Sequence, residues 1–481
     1  MEQTVINNIK QLVIKTFGKD FEQIKELPES GSYRKYFRFY IDGKSYIAAF
    51  NEDYKENLAF IHFTDVLLKN NINVPEVYAH DLENNIYLIQ DLGSDTLFNL
   101  LRRSREEGKG ITPEIKSYYK KALEQLVDFQ LCEGIDFKIA YPREKFDKQS
   151  MIWDLSYFKY YFLKLAKIQF DEQLLEDDFN KLTDFLLQAG TNYFMFRDFQ
   201  ARNIMIKDEE VYFIDYQGGR KGALQYDLAS LLFNSKADLP LDFRDELLHH
   251  YIKELQKHIN ITDQYFLKYY YGFALIRILQ AMGAYGFRGF YERKMYFLNS
   301  IPFALKNLKI IVEKFEFLNK LSHLKNILEA LIENEELNKY KAPELGGKLL
   351  VNISSFSYKK GLPVDSTEHG GGYIFDCRAI HNPGRYEEYK KLNGTDKEVI
   401  KFLDKEEEMQ NFLQNVYSLI DKHIEKYLKR NFDYLAVHFG CTGGQHRSVY
   451  AAEHLFEYIR KKYNVKITLN HREQKIQKTV T

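Results

Sequence analysis

Residues 192–219 read NYFMFRDFQARNIMIKDEEVYFIDYQGG. The apolar run Tyr193–Phe196 breaks into a polar loop carrying Asp198 and Asn203, and the short hairpin that follows ends on Asp215. A carboxylate just after an apolar strand projects into a cleft, so this stretch marks a site as well as a fold. Upstream, GSYRKYFRFYIDGKSYI (31–47) alternates large apolar with polar residues about Asp42-Gly43, a strong local signal for a β-hairpin. A helix over about Tyr54–Asn70, the Val74-Pro75-Glu76-Val77 segment and an apolar strand in NNIYLIQDLG (84–93) complete a small lobe. From Thr96 to Gln188 the period is helical, with breaks near Arg105–Gly110 and at Gly134, and helices resume from Tyr226 to about Leu337.

Farther out, a charged stretch from Glu313 to Lys341 reads as a helical connector that stops at Pro343 and Gly346-Gly347. Beyond it KLLVNISSFSY, GGYIFDCR and FDYLAVHFG are strand candidates, with helices over Lys397–Lys429 and Ser448–Tyr463, the alternation of a compact α/β domain. A chain of 481 residues accommodates two such modules. Lys plus Arg and Asp plus Glu both number 68, so no global field draws the chain to nucleic acid or to an anionic membrane. Cys132, Cys377 and Cys441 are spaced for neither a disulfide framework nor a zinc knuckle, which fits a reducing compartment. The opening MEQTVINNIKQLVIKTFGKDF places acids and lysines where a signal peptide needs an unbroken apolar run, and no later run is long enough to span a bilayer. A soluble, cytoplasmic protein is expected.

Phosphoryl transfer is mostly positioning and charge neutralisation, so it needs a group that aligns the acceptor hydroxyl, metal ligands beside the phosphates and a cover over the nucleotide. Asp198 and Asn203, separated by four intervening residues in RDFQARN, have the catalytic-loop spacing in which the aspartate faces the hydroxyl and the asparagine binds Mg²⁺; Asp215 stands where the second metal ligand falls. With FRDFQARNIMI and FIDYQGGRKGALQYDLASLL, residues 20–310 resemble the aminoglycoside-phosphotransferase and choline-kinase-like family, most closely its AmgK-like anomeric amino-sugar kinase branch. The resemblance implies Asp198 as base or orienter, Asn203 and Asp215 as magnesium ligands, ATP as donor and Asp227 as a brace for the loop. It also implies an α+β, protein-kinase-like bilobal domain over 1–325, with a small lobe to about 95 and a helical lobe over 96–325. A linker over 326–345 and a smaller α/β domain over 346–481 follow.

The nucleotide lobe departs from that pattern. SGSYRKYFRF carries one glycine in its cover, with Gly31, Ser32 and Tyr33 at the turn and Arg34 and Lys35 as cations for phosphate oxygens. Ala48 and Ala49 fall where a strand lysine is usual, although Glu56 is present as that lysine's partner. Gln90 and Leu92, flanking Asp91, resemble the hinge that holds adenine. Arg277 and Gln280 share a helix face resembling the flank of an acceptor pocket, with a salt-bridged structural role for Arg277 as the alternative. The absence of an acidic cluster near the catalytic loop disfavours a polycationic acceptor.

FGCTGGQHRS (439–448) is an apolar strand entering a glycine-rich turn and then a helix, an arrangement that makes an anion site. Gly443 and Gly444 let backbone approach a phosphate, Arg447 adds a charge-assisted contact, and Thr442, Gln445, His446 and Ser448 add donors. Cys441 and Arg447 also satisfy Cys-x5-Arg, the arrangement of a cysteine phosphatase, although no general-acid aspartate accompanies it. The neighbouring SSFSYKKGLPVDS, GGYIFDCRAIHNPGRYEEYKKLNGTD, GCTGGQHRSVYAAEHL and NHREQKIQK resemble the carboxy-terminal domain of the RNase adapter RapZ family over about 348–478. That resemblance implies binding of an amino-sugar phosphate by Thr442, Gly443 and Arg447, with RNA as a partner for a basic tail of Arg472, Lys475 and Lys478. Two features differ: no G-x4-G-K-[ST] nucleotide loop occurs, and NPGRYEEY replaces a histidine-bearing loop, leaving His381, Asn382 and Arg385 at the rim. A few terminal cations on a neutral chain offer RNA only a short-ranged, salt-sensitive attraction.

Together these readings lead to an amino-sugar kinase joined to a phosphosugar-sensing domain. A regulatory adapter with the kinase fold as scaffold, or a phosphatase at Cys441, are the alternatives.

Overall fold

The computed structural model describes residues 2–28, 34–340, 349–363, 372–430 and 432–480. Gly31, Ser32, Tyr33, Pro343, Gly346 and Gly347, singled out from the sequence, lie outside the described residues. The chain divides into two units, Met1–Glu292 with Ser300–Lys339, and Arg293–Asn299 with Tyr340–Thr481.

In the first unit β1 (Gln23–Glu26), β2 (Lys35–Ile41), β3 (Lys44–Phe50), β4 (Val77–Asp81) and β5 (Ile86–Gln90) form an antiparallel sheet in the order β1-β2-β3-β5-β4. Asp42 and Gly43 both take positive φ, 49° and 72°, as the two-residue turn joining β2 to β3 requires. The helix Glu2–Phe17, which the sequence reading did not mark, covers one face of this sheet: Val5, Ile9, Leu12 and Val13 pack on Phe37, Phe39, Ala48, Ile86 and Leu88. The helix Tyr54–Lys69 starts on an Asp53 cap whose side chain accepts from the amides of Lys55 and Glu56, and its Phe60 stacks on Tyr87 and Tyr216.

Helices Leu97–Glu106, Pro113–Leu131, Lys148–Phe158, Glu172–Leu186, Leu224–Leu232, Leu241–Leu255 and Asp263–Tyr285 build the larger lobe. Within it β6 (Tyr193–Met195) pairs with β9 (Arg220–Gly222), and β7 (Ile204–Lys207) with β8 (Glu210–Phe213). The catalytic-loop candidate therefore spans β6 to β7, and Asp215 lies two residues beyond β8. Residues 326–339, expected as linker, belong instead to the first unit: Ile327, Leu328, Leu331 and Leu337 are buried, so the charged residues between them are the solvent face of packed helices.

The second unit has its own sheet of β10 (Leu350–Ser357), β11 (Tyr373–Asp376), β12 (Tyr434–Cys441), β13 (Lys466–His471) and β14 (Ile476–Val480), ordered β11-β12-β10-β13-β14. All pairings are parallel except β13 with β14. Every residue of β12 is buried, as a central strand covered on both faces demands. Helices Glu407–Lys429 and Arg447–Lys462 supply much of that cover through Leu413, Val416, Ile420, Leu455 and Ile459. The terminal basic segment is not a free tail: Lys478 sits in β14, paired with Leu469. The fold is the expected α+β unit followed by a smaller α/β unit.

Candidate functional site

The loop after β6 is set by a buried carboxylate. Asp227, on the helix Leu224–Leu232, accepts from the amides of Phe196 at 2.7 Å and Arg197 at 2.9 Å, and Gln130 Nε2 lies 3.4 Å away. Burial pushes its carboxyl up to about 7 against the pull of these donors. The two amides offset the strained backbone at Arg197, a non-glycine residue with φ 83°. The Arg197 guanidinium reaches Asp154 Oδ1 and the Tyr226 hydroxyl, both at 2.7 Å. Asp227 is thus a brace, as the resemblance implies.

Asp198 follows directly. Arg277 Nη2 lies 3.3 Å from its Oδ1, while Arg277 Nε donates to Ser230 Oγ at 3.0 Å and Nη1 donates to Gln280. Burial favours the protonated acid, yet Arg277, Arg197, Arg202 and Arg220 outweigh it and hold the carboxyl below its ordinary value. Asp198 is therefore ionised at neutral pH, and its side chain remains 47% exposed to a prospective acceptor. Arg277 stands beside Asp198 with Gln280 against it, and the salt bridge weighed as an alternative role for Arg277 is made to Asp198 itself.

Asn203 closes the short turn Ala201–Asn203, where its Nδ2 donates to the Asp198 carbonyl at 2.9 Å and lies 3.4 Å from Asp215 Oδ2. Asp215 has φ 70°, a second strained position at the same loop cluster. Its Oδ1 accepts from Gln217 Nε2 at 2.7 Å. The Asn203 amide oxygen and the Asp215 carboxylate are hard donors suited to Mg²⁺. Among the described residues no group of three acidic, histidine or cysteine side chains forms a metal cage. Mg²⁺ held with phosphates needs only one or two carboxylates, so the donor set fits.

On the small-lobe side Arg34 is buried, with Nη2 3.1 Å from Glu56 Oε1, whereas Lys35 turns to Glu26 on β1 at 3.1 Å. Adjacent positions on a strand point to opposite faces, which separates these two cations. Gln90 ends β5, and Leu92 is buried after it. Between them Asp91 is tied by Arg38 at 2.6 Å, and its carbonyl accepts from Lys207 Nζ at 3.0 Å. Gln217 escaped the sequence reading although it lies two residues from Asp215 in IDYQGG, the spacing that puts both on one face of an extended run.

In the second unit Cys441 ends β12 and the turn to Arg447 leads into a helix. Thr442 and Gly443 are exposed, and nothing stands within 4 Å of a Cβ built on Gly443. Gly444 is different: its φ is 66°, and a Cβ there would meet Glu473 Cγ at 2.5 Å. Several expected anion donors are already engaged. Gln445 Nε2 donates to the carbonyls of Lys390 at 2.9 Å and Leu392 at 2.6 Å, and His446 Nε2 lies 2.9 Å from the Tyr389 carbonyl. Arg447 is buried, its Nη1 donating to the carbonyls of Arg378 at 2.8 Å and Ile380 at 2.6 Å in the loop after β11. Ser448 Oγ lies 3.1 Å from Cys441 Sγ. Burial raises the Cys441 thiol, but Ser448, the Gln445 amide and Arg447 outweigh it and hold the thiol below its usual value. At 3% exposure that sulfur is still shielded from a phosphate ester. His381 pairs with Glu406 at 3.1 Å, Asn382 accepts from the Gly384 amide, and Arg385 closes the short turn Pro383–Arg385. Arg472 donates to the carbonyls of Ser357 and Gly361.

Residues 23–259 match the family model described as the phosphotransferase enzyme family, and residues 349–475 match the RapZ C-terminal domain. The chain joins these two domains. The model matched by residues 23–259 is that of an enzyme family that transfers phosphoryl groups. The chain is 34% identical over 168 residues to the RNase adapter protein RapZ of Yersinia pseudotuberculosis, a match covering 33% of this chain and 57% of that protein. The Yersinia enterocolitica protein of the same name is equally similar, with 58% of its length covered. This chain therefore spans little more than half the length of the curated relatives it matches. Solved structures similar to the phosphotransferase domain include an ethanolamine kinase of Plasmodium vivax, 13% identical with a TM-score of 0.44, covering 62% of this chain and 86% of that one. A choline kinase of Cryptosporidium parvum is 12% identical with a TM-score of 0.45, covering 67% and 99%. Among the described residues no helix is long and apolar enough to cross a membrane.

Proposed function

We propose that the phosphotransferase domain transfers the γ-phosphoryl group of ATP to the anomeric hydroxyl of a cell-wall amino sugar such as N-acetylglucosamine or N-acetylmuramate. The RapZ-type domain binds a related phosphosugar in the same pathway. The observation that carries the reading is the juxtaposition of Asp198, Asn203 and Asp215, linked through the Asn203 amide at 2.9 and 3.4 Å. Asp198, ionised and held by Arg277, accepts a hydrogen bond from the acceptor hydroxyl and takes its proton as the new P–O bond forms and the bond from the γ-phosphorus to the β–γ bridging oxygen breaks, releasing ADP. Asn203 and Asp215 would hold Mg²⁺, which when bound supplies positive charge to the phosphate oxygens. The four arginines about Asp198 favour a neutral or anionic acceptor over an aminoglycoside.

In the RapZ-type domain, the exposed Thr442 and Gly443 offer the phosphosugar a backbone anion site. The engaged side chains of Arg447 and Gln445 give that turn its shape. A name shared with RNase adapters makes RNA or a protein a further partner of this domain.

The test is ATP consumption by the purified chain with Mg²⁺ against a panel of free amino sugars and aminoglycosides, with phosphorus NMR of the product and Asp198→Asn as the blank. An anomeric phosphate on one amino sugar, lost by about 10²-fold or more in the variant, is expected. Silence across the panel with ATP still bound would sink the enzyme reading in favour of a phosphosugar-dependent adapter.

A further inference from the structure

The small lobe poses a charge problem that its central strand does not solve. Ala48 and Ala49 on β3 are both fully buried and stand opposite Phe37 and Tyr36 of β2, so the strand carries no cation toward the nucleotide side. Yet Glu56, the acid that usually orients such a cation, is present and built into a network. Its Oε2 accepts from Asn51 Nδ2 at 2.7 Å, and its Oε1 lies 3.4 Å from Gln217 Nε2. Gln217 in turn donates to Asp215 Oδ1 at 2.7 Å. A carboxylate held in this way, one side chain removed from a metal-ligand candidate, implies a cation near the phosphates.

Arg34 stands at that place. It immediately precedes β2, is only 4% exposed, and sits at 3.1 Å from Glu56 Oε1 through Nη2 and at 3.2 Å from the Tyr36 hydroxyl through Nη1. Among the described residues its Nε and Nη2 make no aligned hydrogen bond although both are buried. A guanidinium is charged at every accessible pH, so buried donors lacking an aligned acceptor are costly unless an anion takes them. Oxygen acceptors for two forked N–H groups are what a polyphosphate offers.

We infer that Arg34 replaces the missing strand lysine as the residue that holds the nucleotide's phosphates beyond the α position, with Glu56 and Tyr36 orienting its fork. The inference rests on the ATP-dependent reading above and names the residue that serves its phosphate contact. A cation supplied from the entry to β2 rests on a neighbouring strand, so the same face of the sheet is served while β3 keeps two alanines. Lysine would not substitute for it, because an ammonium cannot reach Glu56, Tyr36 and a phosphate in one plane.

The experiment is calorimetric titration of ATP, ADP and AMP, each with Mg²⁺, into the full-length protein and its Arg34→Met, Arg34→Lys and Glu56→Gln variants, with circular dichroism melting of each apo protein. Arg34→Met is expected to weaken ATP by about 10- to 100-fold, the loss of one or two charge-assisted hydrogen bonds. AMP, which lacks the outer phosphates, should bind as before, so the ATP-to-AMP preference collapses. Should Arg34→Met fail to fold, Arg34→Lys carries the same expectation with the charge kept. An unchanged ATP-to-AMP ratio in a folded Arg34 variant, with wild type binding ATP, overturns the inference and leaves the phosphotransferase reading standing. Wild-type protein that binds no adenine nucleotide overturns both.

Discussion

Asp198 is a carboxylate among cations, and that setting has a kinetic consequence. Burial alone would raise its affinity for a proton, but Arg277, Arg197, Arg202 and Arg220 reverse the balance and lower it. A general base with a depressed pKa stays competent as pH falls and is lost only when pH passes below the ordinary carboxylate range, near 4. The acid limb of kcat/KM should therefore lie below about pH 4. Arg277→Met removes the largest of the four opposing charges and the 3.3 Å contact. It should move that limb toward neutrality and lower kcat by roughly 10- to 100-fold through lost positioning. A pH profile of the variant that superimposes on wild type after scaling would mean that Arg277 does not act on the carboxylate. Asp198, Asn203 and Asp215 were legible in the sequence as one cluster because short spacing around one loop brings them together. Arg34 was legible only as a nearby cation: its pairing with Glu56 depends on which face of the sheet it meets at the entry to β2.

Among the elements, the antiparallel hairpin and the amphipathic helices announced themselves, whereas the pairing of β6 with β9 and the helix Glu2–Phe17 did not. Three-residue strands carry too little periodicity to be read, and β6 is separated from its partner β9 by the whole loop that carries Asp198 and by the hairpin of β7 and β8. The terminal NHREQKIQK looked like a basic tail because β14 is an exposed edge strand rich in polar residues, and its identity comes from pairing with β13. Another element-level feature is invisible in sequence: the helix Asp263–Tyr285 runs into a π-helical stretch, Gly286–Tyr291, packed against a second one, Lys159–Leu163. A Cβ on Gly286 would stand 1.9 Å from the Tyr161 carbonyl oxygen, a backbone atom that cannot step aside. Gly286→Ala should therefore destabilise the phosphotransferase domain by at least about 1–3 kcal/mol through forced separation of the two segments. Urea unfolding followed by tryptophan emission checks this, and a midpoint equal to wild type would show that the contact relaxes freely.

At the scale of the whole molecule, each unit encloses its own core, and the chain's single tryptophan, Trp153, lies in the first. Tryptophan emission thus reports on the phosphotransferase domain alone, while far-ultraviolet circular dichroism reports on both. Asp421 offers a lever on the RapZ-type domain only. Its carboxylate accepts from Lys462 at 2.6 Å and from the hydroxyls of Tyr458 and Tyr463 at 2.7 Å. Burial raises its pKa, but these donors outweigh burial and bring it below the ordinary value. The unfolded chain then binds this proton more readily than the folded one, so the stabilisation is complete above the unfolded pKa near 4 and is lost as pH falls through the folded value. Asp421→Asn keeps the shape and removes the charge. At pH 7 it should cost the RapZ-type domain about 1–3 kcal/mol, the worth of hydrogen bonds to a charged group, and the difference from wild type should shrink as pH drops below about 4. In urea titrations the dichroism transition should shift while the Trp153 transition stays in place. If both transitions shift together, the two units unfold as one cooperative body, and their separate cores do not confer separate stabilities.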